Sequence, residues 1–226
     1  EGEIIAIRNR RLTEETAKKF NVKVGEGVIR FPYYSSSGRV IAYKERDQKK
    51  NFSWTGKNEE HTLFGQQNFG SGKCIVITEG EMDAMSVFQA RPNWPVVSVP
   101  NGAQSACKAL QRQLDYLLGF DDIIIMFDND EAGIEATEEC VGLFPPDRVF
   151  MASLGSYKDA SEALQAGDSD AIRQAIWNKR TYTPKNIVNG TDLFELVSRP
   201  LHGRDADYPF NALNSITGGL RKQELV

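Results

Sequence analysis

Two hydrophobic patterns divide this chain. From Lys73 onward, short apolar runs alternate with longer amphipathic stretches. Cys74-Ile-Val-Ile-Thr78, Pro95-Val-Val-Ser-Val99, Asp122-Ile-Ile-Ile-Met-Phe127 and Arg148-Val-Phe-Met-Ala152 are short, rich in strand formers and read as strands. Helical spacing fills the gaps, from Gly80 to about Ala90, over roughly 103–118 and over roughly 131–142. Strands alternating with helices predict right-handed βαβ units and a parallel sheet covered on both faces, an α/β fold. The near-continuous apolar character of the third strand places it centrally.

Before Lys73 the pattern is different. Thr13 is a plausible N-cap, with Glu14 and Glu15 in the first turn of a helix running to about Phe20. Val28-Ile-Arg-Phe31 and Arg39-Val-Ile-Ala-Tyr43 are strand-like, and Ser35-Ser-Ser-Gly38 between them signals a turn, hence a β-hairpin. Residues 159–179 read as one or two helices ending near Trp177, and Thr181-Tyr-Thr-Pro-Lys185 as a linker-like break. Thr191 is positioned to cap a short helix to Ser198, and the tail after Thr217 stops as a new strand begins. The expected organisation is an N-terminal mixed β/α subdomain over 1–72, an α/β domain over 73–180, and a helical linker over 181–226 toward an absent domain.

Composition narrows the chemistry. With 40% hydrophobic residues in 226, a core is affordable. No apolar run approaches the roughly 20 residues of a membrane span. The start, Glu-Gly-Glu, lacks a signal-peptide pattern and reads as the edge of a longer protein. Three scattered cysteines, Cys74, Cys107 and Cys140, suit neither a disulfide framework nor zinc, and two histidines leave little for zinc hydrolysis or His-based triads. The net charge of −4 conceals an asymmetry. Residues 1–73 hold 14 Lys and Arg against 9 Asp and Glu, while 74–226 hold 13 against 22.

The acids fall where α/β sheets bind ligands, outside the carboxyl ends of strands. Glu79 follows the first parallel strand, and Asp128 and Asp130 follow the third. Asp83 lies one helical turn beyond Glu79, and Asp159 follows the fourth strand and its loop. Such a cluster repels itself unless cations neutralise it, and hard oxygen ligands point to Mg²⁺ or Mn²⁺. Two ions about 3.5–4 Å apart would clamp the oxygens of a phosphoryl transfer. Asp130 has a second reading, as the N-cap of the helix at Glu131.

Thr78-Glu-Gly-Glu-Met-Asp83 with Phe127-Asp-Asn-Asp-Glu-Ala-Gly133 resembles the TOPRIM signature of bacterial-type primases, topoisomerases and some nucleases. Lys44-Glu-Arg-Asp-Gln-Lys-Lys-Asn-Phe52, those motifs, and Tyr157-Lys-Asp-Ala160 follow the order of phage primase–helicases and the related mitochondrial helicase Twinkle. The resemblance covers roughly residues 5–226 and implies a TOPRIM-type parallel sheet flanked by helices. It implies Glu79 as general base or metal-site acid, Asp128 and Asp130 as metal ligands, and Asp83 and Asp159 completing the cluster. It also maps Lys44 and Lys50 onto lysines that handle nucleotides. The cysteine pairs of that family's N-terminal zinc module are not present, so no zinc is expected in this stretch.

The implied activity is template-directed RNA primer synthesis from ribonucleoside triphosphates on single-stranded DNA, with a covalently linked helicase and a ring oligomer in the full protein. The implied setting is intracellular, host cytoplasm for a phage protein or organelle matrix for a Twinkle-like one. Residues 39–57 add Arg39, Lys44, Arg46, Lys49 and Lys50, interleaved with Phe52 and Trp54, suited to phosphates and base stacking. Lys158 joins these as a nucleic-acid contact. Asn101-Gly102 opens a helix and reads equally as a phosphate-approaching backbone or a plain turn. Gly70-Ser-Gly-Lys-Cys74 is no P-loop, since Gln67 replaces its first glycine and Cys74 its Ser or Thr. Two rival readings stay open: a TOPRIM nuclease, whose acids activate water, and a non-catalytic DNA-binding or ring-assembly module.

Overall fold

The computed structural model describes residues 2–57, 61–182 and 205–220, with Phe194 and Ser198. Glu1–Tyr182 form one compact unit and Thr183–Val226 another. The helix expected over 191–198 lies largely outside the described residues. In the second unit a helix, Asn211–Thr217, ends at Gly218 in the left-handed conformation, and Ala206 bridges to Leu220.

The first unit holds two sheets. Helix α1 (Glu14–Phe20) starts at Thr13, whose hydroxyl accepts from the Thr16 N–H, as its cap sequence predicts. Strands β1 (Lys23–Gly25), β2 (Val28–Tyr34), β3 (Val40–Arg46) and β4 (Phe52–Gly56) follow as an antiparallel sheet in that order. The serine-rich turn closes through Gly38, at φ +77°, with its N–H on the Ser35 carbonyl. In the sheet, Lys44 stands between Phe31 and Trp54 on its two neighbours.

The second sheet has the order β6 (Val96–Ser98), β5 (Gly72–Thr78), β7 (Phe120–Met126), β8 (Val149–Met151), β9 (Arg180–Thr181). The first four run parallel and β9 adds antiparallel to β8. The third parallel strand is central, as its apolar run predicts. Helices α2 (Glu81–Ala90), α5 (Glu131–Val141), α6 (Ala160–Ala166) and α7 (Ser169–Trp177) match the expected stretches. The single helix expected over 103–118 is broken into a 3₁₀ turn at Ala103–Ser105, α3 (Ala106–Arg112) and α4 (Leu114–Leu117). The break falls at Gln113, whose side chain accepts from Gln66 of a distant segment, a tertiary contact that local pattern does not encode.

Alternate residues of β5 and β7 serve two cores. Val76, Ile124 and Met126 pack on one face with α2, while Ile75, Ile77, Ile123 and Ile125 pack on the other with Leu110 and Cys140. Both faces are covered, which explains why these strands read as unbroken apolar runs. The first core also contains Phe20, Phe31, Tyr33 and Phe64, so the antiparallel sheet and one face of the parallel sheet share it. Phe64 is the joint. Its backbone pairs with Ser98 at the β6 edge, and its ring lies stacked 5.3 Å from Phe20 and edge-on 5.7 Å from Phe31. The stretches 1–72 and 73–180 therefore meet in one unit.

Phe64→Ala is expected to cost about 3–5 kcal/mol, the range for a buried aromatic truncated to alanine. Urea unfolding followed by tryptophan fluorescence and by far-ultraviolet dichroism checks this. A single shifted transition is expected, and two separated transitions would contradict the shared core.

Candidate functional site

Parallel pairing fixes the rim of the site. Thr78 is opposite Met126, so Glu79 and Phe127 leave the sheet side by side and Asp128 follows. The Thr78 hydroxyl donates to the Gly80 carbonyl at 3.1 Å and helps turn the chain into α2. Two glycines of the motifs are required by contact. A Cβ on Gly80 would stand 2.7 Å from Asp83 Oδ2, and one on Gly133 would collide with the Asp128 carbonyl. Helix α5 thereby sits hard against the end of β7.

Glu79 Oε1 accepts from the Ala103 N–H at 3.2 Å, while its Oε2 is buried without a hydrogen-bond partner among the described residues. Burial pushes the Asp128 carboxyl up to about 6, helped by the charges of Glu79 and Asp159 and opposed by Lys158. Burial also raises Asp83 well above the carboxylate range, with Asp159, Asp128 and Glu81 adding repulsion and the Ser161 N–H at 2.9 Å opposing. These acids share one field. Asp159 caps α6, accepting from the Glu162 N–H at 2.7 Å. Asp130 caps α5, accepting from the Gly133 N–H at 3.0 Å, and that bond and Lys158 lower its pKa. The capping alternative for Asp130 is thus realised, with Oδ2 left to face Lys158.

Lys158 was read as a nucleic-acid contact. Its Nζ instead lies 2.9 Å from Asp130 and 3.5 Å from Asp128, and these carboxylates push its pKa up. Among the described residues no three Asp, Glu, His or Cys side chains gather in metal-binding geometry. The donor set still fits a hard cation: Glu79 offers an unpartnered oxygen, and Asp128 and Asp83 carry repulsion that a divalent ion relieves.

Lys44, which the resemblance maps onto a nucleotide-handling lysine, makes its contacts inside the protein. It is buried, with Nζ 2.8 Å from Glu81 Oε1 and 2.6 Å from the Pro100 carbonyl. Glu81 is only 4% exposed and accepts a second bond, from the Tyr33 hydroxyl at 2.6 Å. Burial first, then Glu81, holds that phenol well above its ordinary range. Sequence reasoning passed over Glu81. The signal was its spacing, four residues before buried Met85, which puts it on the packed face of α2.

Four other cations line a cleft of about 640 Å³ bounded by residues 5–10 and the β3–β4 turn. Arg8, Arg10, Arg46 and Lys50 face it against Glu14 and Asp47. Lys50 occupies the turn at φ +67° and is exposed. Arg10 and Arg46 also border a cavity of about 130 Å³ whose other wall is Glu81, Asp83 and Asp159, so basic cleft and acidic rim adjoin. Arg46 Nε is buried without a partner. Phe52, 54% exposed, lies beneath Lys44 Nζ and Arg46 at 4.6 and 5.7 Å, whereas Trp54 is packed on Tyr33 and His61. Arg39 and Lys49 are exposed and line neither cavity, and Arg8 and Arg10 were not foreseen. Of the Asn101-Gly102 turn, the following N–H of Ala103 is already engaged by Glu79.

Known proteins share this arrangement. The Toprim-like family profile matches residues 76–164. The DNA helicase/primase of Enterobacteria phage T3 is 36% identical over 175 residues, covering 77% of this chain and 31% of that protein. The DNA primase of Deinococcus radiodurans is 32% identical over 165 residues, covering 66% of this chain and 28% of that protein. The chain thus spans under a third of the length of these curated relatives. The crystal structure of the primase fragment of the bacteriophage T7 primase-helicase superposes with a TM-score of 0.73 at 35% identity, over 78% of this chain and 75% of that one.

Two outcomes follow from the site's electrostatics. Lys44→Met leaves the Glu81 charge buried and alone, and is expected to cost about 3–5 kcal/mol; adding Glu81→Leu recovers much of that loss in urea titrations. For Asp128, the native state holds its proton to about pH 6 while the unfolded chain releases it near pH 4. Its contribution is therefore full below about pH 4 and lost as pH rises through about 6, a change of up to about 3 kcal/mol. In chelator-treated protein, the stability difference between wild type and Asp128→Asn is expected to move in favour of the variant across that window. A pH-independent difference would contradict the raised carboxyl.

Proposed function

This chain belongs to the TOPRIM primase family of phage-type primase–helicases, and from that premise we propose that it is a DNA primase, joining ribonucleotides on a single-stranded DNA template. The observation that carries the reading is the contiguity of a basic cleft and a carboxylate rim through Arg10 and Arg46. A polymerase needs both halves, one for the phosphates of the incoming nucleotide and one for the oxygen that attacks.

In this reading a primer 3′-OH attacks the α-phosphate of a ribonucleoside triphosphate and pyrophosphate leaves. Glu79, with its unpartnered Oε2, receives the hydroxyl proton. Glu79, Asp128 and Asp130, with Asp83 and Asp159 around them, would hold divalent cations, Mg²⁺ or Mn²⁺ and two in number, which would supply acidification of the hydroxyl and neutralisation of developing charge. Were Asp128 and Asp130 to hold such ions, Lys158 would lose those contacts and would be available to a phosphate. Lys50, Arg46 and Arg10 hold the triphosphate, with Lys49, Arg39 and the Asn101-Gly102 turn as outer contacts for the strand. Phe52 offers a stacking face for a base. Lys44 acts as a positioning residue, fixing β3 against α2 and the Pro100 turn.

The relatives support the partners as well. A structure of the T7 lagging-strand DNA polymerase with primase domains bound to an RNA/DNA hybrid and dTTP matches at 35% identity and a TM-score of 0.73, covering 94% of that chain. In the same proposal the template and the nucleotide bind here, and the full protein carries a linked helicase and forms a ring. The division into a basic part over 1–72, a TOPRIM part over 73–180 and a linker over 181–226 belongs to the same proposal.

The test is extension of a diribonucleotide annealed to a DNA template, with ribonucleotides and Mg²⁺. Glu79→Gln is expected to lower kcat about 10²–10⁴-fold, the range for a lost general base. Lys50→Ala is expected to raise the nucleotide KM about tenfold with a smaller change in kcat. Template cleavage with no extended RNA would replace this reading with a nuclease.

A further inference from the structure

A second cavity, of about 210 Å³, opens beyond the edge strand β6. Its walls are the His61–Leu63 segment, the Pro100–Asn101 turn and one face of α3 with Ser105. It shares no lining residue with the basic cleft or the acid-walled cavity. Yet it is close to the chemistry in chain terms, because Asn101 lines it and Ala103, two residues on, binds Glu79.

Three features of this cavity point to a ligand. Lys108 and Arg112 stand one turn apart on α3, both exposed, and neither has an ion-pair partner among the described residues. No acidic residue lines the cavity among the described residues. Ser105 Oγ is buried with no hydrogen-bond partner among the described residues, an uncommon state for a hydroxyl in a folded chain. His61, at the rim, is already held parallel to Trp54 at 5.1 Å. Arg112 alone is explained by its place in the last turn of α3, where a cation suits the helix dipole. That explanation covers neither Lys108, nor the concavity, nor the hydroxyl.

We propose that this cavity binds a backbone phosphate of a nucleic-acid strand, reached from Glu79 across the Asn101–Ala103 turn and separate from the nucleotide's cleft. Lys108 and Arg112 supply the charge and Ser105 donates to a phosphate oxygen. Its volume is below the roughly 300 Å³ of ordinary small-molecule sites, so it suits one phosphate of a passing strand better than a whole nucleoside triphosphate. The inference rests on the primase reading and deepens it, since it gives the strand a second anchor.

The experiment measures fluorescence anisotropy of a labelled single-stranded DNA against salt, for wild type, Lys108→Ala/Arg112→Ala and Ser105→Ala. The double variant is expected to bind about tenfold or more weakly, and its log–log salt slope to flatten by about 0.7, one single-strand phosphate contact. Ser105→Ala is expected to weaken binding with the slope unchanged. Binding of a fluorescent ribonucleoside triphosphate in Mg²⁺ is expected to be the same for all three proteins. Unchanged affinity and slope in a double variant that folds normally by circular dichroism would overturn the site while leaving the primase reading intact. Loss of nucleotide binding with strand binding kept would assign the cavity to free nucleotide and overturn the proposal. Wild-type protein that binds no strand at all would overturn both readings.

Discussion

The rest of the site depends on one buried ion pair. Lys44 belongs to the antiparallel sheet, Glu81 to the first turn of the helix that follows the first parallel strand, and their 2.8 Å contact lies in the seam between them. Side-chain exposures of 10% and 4% mean that neither charge is solvated, so each is tolerable only through its partners. Those partners set geometry. The Pro100 carbonyl draws the β6 turn toward Lys44, and the Tyr33 hydroxyl pins Glu81 from the neighbouring strand. Such a pair contributes little net stability compared with an apolar replacement. What it supplies is a fixed registration of a basic sheet on an acidic rim, which hydrophobic contact, being non-directional, does not specify.

The rim itself is built against electrostatic preference. Asp83 and Asp128 are buried beside other carboxylates, and both are held toward their protonated forms. Backbone donors relieve part of the strain: Ser161 serves Asp83, Gly133 serves Asp130, and Glu162 serves Asp159. Each of these N–H groups opens or lies in the first turn of a helix, so capping and charge clustering are one device here. Lys158 completes it from the side of the fourth strand, as a movable cation on a long, exposed stem. A site arranged in this way is poised between a protein-supplied cation and an external one.

Much of this was legible in the chain before folding, because local physics carried it. The parallel strands read as apolar runs since both their faces are buried. Thr13, Asp130 and Asp159 are cap-type residues at the starts of helices, and Gly80 and Gly133 mark places with no room for a Cβ. The five acids fell at strand ends for the same topological reason that strand ends bind ligands. What stayed hidden depends on contacts across long sequence separations. Lys44 looked like a surface cation until α2 brought Glu81 to it across 37 residues. Strand β9 is two residues of polar chain paired through its backbone, so no apolar signal announced it. The break at Gln113 follows a partner 47 positions away.

The order of charges around the rim also bears on which reaction the site suits. A hydrolase needs its acids open to water on the side of attack. Here the antiparallel sheet stands over that side, with Phe52 beneath two cations and Arg10 and Arg46 in the wall shared with Asp83 and Asp159. Cations placed there offset the negative charge of the neighbouring carboxylates. The desolvated setting strengthens each such contact, since charges interact more strongly away from bulk water. A rim bordered by Arg10 and Arg46 suits a phosphate-bearing substrate, as the proposed nucleotide transfer requires. The same argument explains why the antiparallel sheet must be fixed by an ion pair: a shift of one residue in β3 would turn Lys44 out of the seam and expose the acids.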